Sequence, residues 1–136
     1  MASDAPLIEK QNNMVAAIAI LVAIAAWAVP GLGHLLLRRW GRALFMFLAV
    51  AGLAVAGYGM RGETFGTHSA DPFGALGFVA DACSGVFYFL PRVLEAAGPD
   101  VSRAAGDYGT RLLAAAGVVN ILGVLDAYRI ASGRKS

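Results

Sequence analysis

Three stretches of the chain carry no charged residue for most of the length that a bilayer core demands: Met14 to Val29, Ala43 to Met60 and Leu112 to Leu125. Their apolar side chains are not confined to one helical stripe, so a helix built from any of them needs apolar surroundings on every side. A chain of 136 residues cannot wrap three such helices in a soluble core of its own. A composition of 58% hydrophobic and 15% charged residues points the same way. The sequence therefore predicts an all-α membrane protein, with three transmembrane helices over about 14–30, 36–60 and 110–130 in a single membrane domain, 1–136.

Gln11-Asn12-Asn13 reads as the polar start of the first helix, and Pro30-Gly31 ends it. The first run resembles a secretory signal only superficially. Asp4 and Glu9 precede it against a single Lys10, while Arg38, Arg39 and Arg42 follow, the reverse of a signal peptide's charge order. GLGHLLLRRWGR, from Gly31 to Arg42, is expected to be a turn at the membrane boundary, because its arginines cannot sit in hydrocarbon. His34, Arg38 and Arg42 are four residues apart and would share one face if the second helix started before Trp40. Trp40 and Tyr58 mark that helix's two interfaces.

Residues 61–75 are rich in Gly and polar groups and read as a loop. After them Leu76, Val79, Ala80, Cys83, Phe87, Leu90 and Leu94 recur at three- and four-residue steps. Asp81, Ser84, Tyr88, Arg92 and Glu95 take the opposite face. The segment is expected to be an interfacial amphipathic helix on the outer side, within an outer region spanning 61–109, and its stripe around Phe87 and Leu90 to contact a partner. A polar connector, VSRAAGDYGT, is expected to lead into the last span.

Basic residues near span ends predict orientation. Arg38, Arg39 and Arg42 place the first turn inside, and Arg129, Arg134 and Lys135 place the C-terminus inside. Three crossings then put the N-terminus outside, in a multi-pass protein of the bacterial inner membrane.

Few residues carry chemistry. His34 could ligate a metal or porphyrin, but no second His or Cys lies at ligand spacing, and a hydrogen bond across the Gly turn is the preferred reading. Asp126, an ionisable group near the end of a span, calls for an ion pair with Arg129 or with the first-turn arginines Arg38 and Arg42. Asn120 sits mid-span and is expected to hydrogen-bond another helix. His68 is read as a solvated loop residue. Gly123 with Ala127 and Ala131, Gly52 with Ala56, and Ala19 with Ala23 are small-residue ridges that allow close helix approach. Cys83 is the single cysteine and has no partnering His nearby; no phosphate loop, carboxylate pair or metal motif is found. No catalytic residue, metal or intrinsic cofactor is assigned, and contact with lipid or pigment stays open. A formal net charge of +2 without a basic run excludes nucleic acid as the expected partner.

The turn PGLGHLLLRRWGRALF and the late LDAYRIASGRK resemble the small bacterial membrane proteins related to the TM2-domain class. Those proteins have a Gly-rich turn with a His, an Arg cluster and an Asp-Ala-Tyr ending on a later helix. Leu36-Leu37-Arg38-Arg39 stands where the class usually has Tyr-x-Gly-Arg. The resemblance implies this architecture and a non-enzymatic role.

The functional expectation is a non-enzymatic accessory or scaffolding subunit that packs on a larger membrane complex and on membrane lipids. Photosynthetic reaction-centre or antenna assemblies and respiratory complexes both recruit small helical subunits. The alternative is a self-assembling small channel or transporter component, which would need a continuous polar path; only Asn120 and Asp126 qualify for one.

Overall fold

The computed structural model describes residues 4–60, 72–89 and 103–134. Over these the chain forms α1 (Ala5–Ala28), α2 (Leu32–Leu36), α3 (Trp40–Gly59), α4 (Pro72–Ala82), a 3-10 turn (Gly85–Tyr88) and α5 (Arg103–Ala131). No strand occurs among the described residues. α1, α3 and the Tyr108–Ala131 part of α5 are each long and apolar enough to cross a membrane, and the protein is of the multi-pass membrane type.

α1 starts at Ala5, well before the expected Met14, because Pro6 suits the first helical turn and nothing between it and Met14 breaks a helix. α5 likewise starts at Arg103, so the expected connector is already helical there. Between them the second helix does not run back to residue 36. α2 ends at Leu36, and Arg38 adopts a left-handed conformation with φ 58°. The Arg39 N–H donates to His34 O (2.8 Å) and the Arg38 N–H to Leu35 O (2.9 Å). That pattern is a Schellman stop, with an arginine where glycine is usual. The single face expected to carry His34, Arg38 and Arg42 is therefore broken in two.

α3 runs antiparallel to α5. Gly57 lies against Gly109, and Val50 and Ala54 pack on Leu113 and Ala116. Lower down Met46 meets Gly123, and Arg42 reaches Asp126. α1 is also antiparallel to α5: Val22 and Ala26 pack on Val124 and Ala127, and Trp27 O reaches Asn120. α1 and α3 thus point the same way, and α2 turns back between them. Gly33 of α2 sits beside Ala26, Val22 and Ala127, the place where α1 and α5 cross. The C-terminal end of α1 consequently stops beside Asn120, near the middle of the Tyr108–Ala131 stretch. Three successive crossings would have left the two termini on opposite sides. The packing instead brings the start of α1 and the end of α5 to the same end of the bundle.

One half of α1 is left exposed by the described residues. Residues 4–18 are exposed throughout, and burial begins at Ala19. At about 1.5 Å per residue the uncovered half reaches roughly 20 Å past the end of α5. Met14 and Ile18, 59% and 49% exposed, lie on this arm.

The expected apolar stripe of α4 is exposed by this chain at Leu76 and Val79, as a helix set against lipid or a partner requires, whereas Asp81 (1% exposed) and Ser84, on the face opposite the stripe, are buried. Periodicity separates two faces without saying what each one meets. In lipid the apolar face turns outward and the polar face turns to the bundle. The expected single helix also stops at Ala82 and continues as the 3-10 turn; the expectations for Leu90, Arg92, Leu94 and Glu95 lie outside the described residues.

Of the small-residue ridges, Gly123 and Ala127 are buried in contact with α3 and with α1 and α2, and Ala19 is buried on α1. Gly52 and Ala56 instead face outward. The face of α3 that packs is Ala43, Val50, Ala54 and Gly57.

Candidate functional site

Two polar clusters sit on α5, at Asn120 and at Asp126, less than two turns apart. The upper one is a knot at mid-bundle. The Asn120 Nδ2 amide donates to Cys83 O (2.7 Å) and to Trp27 O (3.1 Å), so a single side chain satisfies carbonyls at the ends of two different helices. Trp27 adds a cross-tie, its Nε1–H donating to Ala82 O (3.2 Å). These carbonyls belong to the last turns of α1 and α4, which have no intrahelical donor and are costly to leave unmet away from water. Ser84 Oγ donates to Asp81 O (2.6 Å) and closes the end of α4.

Two glycines make the knot sterically feasible. Gly85 takes a left-handed conformation (φ 65°), and a Cβ there would strike Trp27 O. Gly117 faces α4, and a Cβ on it would strike Ala80 O. Asn120 stands out in the sequence as a polar residue in an apolar run, whereas neither glycine does, since neither lies in a ridge of small residues. Trp27 reads there as part of the apolar run. An indole inside an apolar run is a usable signal, because its N–H needs an acceptor when buried.

The second cluster joins the first turn to the last helix. Asp126 Oδ2 accepts from Arg42 Nη1 (3.0 Å) and lies 3.1 Å from His34 Nε2. His34 is 1% exposed, and Arg42 is 43% exposed at its side chain. The expectation of an Asp126 ion pair with a first-turn arginine thus finds Arg42. The expected His34 bond across the glycine turn is corrected: its partner is Asp126, far along the chain. Through these two contacts one carboxylate holds both sides of the α2–α3 break. The two motifs quoted above, the PGLGH turn and LDAY, meet here in space.

The other singled-out residues are placed differently. Arg38 is exposed at the corner, and Arg129 is exposed on α5 one turn beyond Asp126. Phe87, expected on a partner-facing stripe, is half-buried in this chain: its ring lies 6.1 Å from that of Phe47, and it packs on the cluster of Val50, Ala54, Leu113 and Ala116. Leu90 and His68 lie outside the described residues. Among the described residues no group of three or more His, Cys, Asp or Glu side chains could hold a metal ion.

The Asp126 cluster makes an unequal pair of contacts, and a mutant cycle should show it. Asp126→Ala strands the buried His34 ring, at a cost of about 1–3 kcal/mol. Arg42→Ala should cost under about 1 kcal/mol, because a guanidinium this exposed is stabilised by water as well. The double variant should lose less than the sum, measured as thermal or denaturant stability in detergent; strict additivity would show that the contact contributes nothing.

No curated protein and no solved structure matches the chain. A family model, described as Family of unknown function (DUF6677), matches residues 21–136. That span holds the reversal at Pro30–Arg42, both polar clusters and the whole of α5, and the chain belongs to the family of unknown function DUF6677.

Proposed function

We propose that the protein is a non-enzymatic membrane subunit that packs on a larger assembly through the free half of α1. The observation that carries this reading is the arm itself. Residues 5–18 form helix with every side chain exposed, and Met14, Val15 and Ile18 present apolar surface level with and beyond the end of α5. An isolated helical arm gains no stability from its own chain, and its apolar face gains from a partner. Four polar side chains have structural partners: Asn120 and Ser84 bond backbone carbonyls, and His34 and Arg42 bond Asp126. This favours a packing role over catalysis.

In this reading the end bearing Arg38, Arg39, Arg42, Arg129 and Arg134 is cytoplasmic in a bacterial inner membrane, following the bias of basic residues. Both termini then lie on the cytoplasmic side, in place of the N-out arrangement. The relationship to the TM2-domain class belongs to the same proposal, supported by the contact between its two motifs at His34 and Asp126.

Purification from the native membrane in mild detergent tests the role. The chain should co-isolate in stoichiometric amount with larger membrane proteins. Val15→Lys/Ile18→Lys should be recovered largely alone and melt at an unchanged temperature, since both side chains are exposed. Recovery of the unaltered chain as a monomer, under conditions that keep other assemblies intact, would contradict the proposal.

A further inference from the structure

Beside the α1–α2 reversal the structure has an apolar cleft of roughly 290 Å³, lined by Val29, Leu32, Leu35, Trp40, Leu44 and Phe47 among others. It runs along the outer face of α3 from Trp40, at the start of the helix, to Phe47, two turns further in. Its walls carry almost no polar surface, and Leu35, Trp40, Leu44 and Phe47 are all exposed by this chain. Trp40 at its mouth is 71% exposed, the situation of an indole at the boundary between headgroups and hydrocarbon.

Arg38 and Arg39 directly precede Trp40, and neither guanidinium has a hydrogen-bond or ion-pair partner among the described residues. Arg42, the third arginine of the turn, is held by Asp126. Two cations with no counter-charge among the described residues therefore precede Trp40, at the mouth of an apolar groove about 10 Å long. Arg38 is kept there in a left-handed conformation (φ 58°), whereas the corresponding stop after α5 uses Gly133 (φ 73°).

We propose that this cleft is a binding site for an anionic phospholipid, one acyl chain lying along α3 from Trp40 to Phe47 and the headgroup phosphate on Arg38 and Arg39. The charge selects among lipids: a zwitterionic headgroup brings its own cation to the same two guanidinium groups, and an anionic one does not. The site is independent of the arm of α1, and lipid selectivity and complex formation are read separately.

The test uses the full chain reconstituted in phosphatidylcholine vesicles, with brominated phosphatidylglycerol or brominated phosphatidylcholine added at the same low mole fraction as quencher. The Trp40→Phe variant supplies the background from Trp27. The Trp40 signal should be quenched several-fold more by the anionic lipid. That excess should vanish in Arg38→Gln/Arg39→Gln and persist in Arg134→Gln, a basic residue at the same end but away from the cleft. Equal quenching by the two lipids in the unaltered chain would overturn the proposal, the cleft then being filled by any lipid. An excess that survives the double substitution, or that falls equally in Arg134→Gln, would overturn it as well.

Discussion

Replacing Gly117 or Gly85 by alanine should abolish the native packing of α4 on the bundle. At Gly117 the added Cβ would occupy the place of Ala80 O, a backbone atom that cannot turn away. At Gly85 the Cβ would meet Trp27 O and Ala28 O, in a left-handed conformation that itself disfavours a side chain. Overpacking costs about 1–3 kcal/mol where side chains can yield, and a clash with a fixed carbonyl exceeds that. Each variant should lose several kcal/mol, seen as a sharp fall in melting temperature or in recovery of folded protein. Gly52→Ala is the control. It lies on the outer face of α3 with open space around it, and alanine is the better helix former there. It should be neutral or slightly stabilising; a loss comparable to that of Gly117→Ala would show that close approach is not the cause.

Asn120 should prove the most sensitive polar position. Asn120→Leu keeps the approximate size but withdraws the donor from Cys83 O and Trp27 O at once. A single interhelical hydrogen bond in a membrane is worth about 0.6–2 kcal/mol, but two buried carbonyls left unmet cost about 1–3 kcal/mol each. Stability should fall by about 2–4 kcal/mol, with the α4 segment losing hydrogen-exchange protection first. Asn120→Asp should be worse, since a carboxylate would face the same two carbonyl oxygens. If Asn120→Leu melts with the unaltered protein, the knot is incidental to the fold.

The extent to which this architecture is legible in sequence follows from what each signal reports. The three long apolar helices follow from run length, because a bilayer sets that length directly. Asn120 and Asp126 stand out for the same reason: a polar group in an apolar run must have a partner. Run length is silent on depth. Pro30-Gly31 breaks a helix equally well at the membrane surface or beside Asn120, and only the packing of Val22 and Ala26 on Val124 and Ala127 shows that α1 ends at mid-height. The two faces of α4 are legible from its periodicity, whereas the burial of Asp81 and Ser84 is not, since polar side chains seek the bundle only because lipid surrounds it. The His34–Asp126 contact joins residues 92 apart in sequence, and no local pattern encodes it.

The central structural claim is that α1 and α3 enter the bundle from one end, so that the start of α1 lies with the end of α5. Cysteine accessibility in intact cells measures this most directly, in a Cys83→Ser background with Leu7→Cys, Met60→Cys and Ser132→Cys introduced singly. Leu7 and Met60 are exposed, and Met60 follows α3 at the opposite end of the bundle from Ser132. The account predicts that Leu7→Cys and Ser132→Cys react with an impermeant maleimide only after the membrane is opened, and that Met60→Cys reacts in intact cells. Labelling of Leu7→Cys from outside, with Ser132→Cys protected, would contradict it and restore three successive crossings.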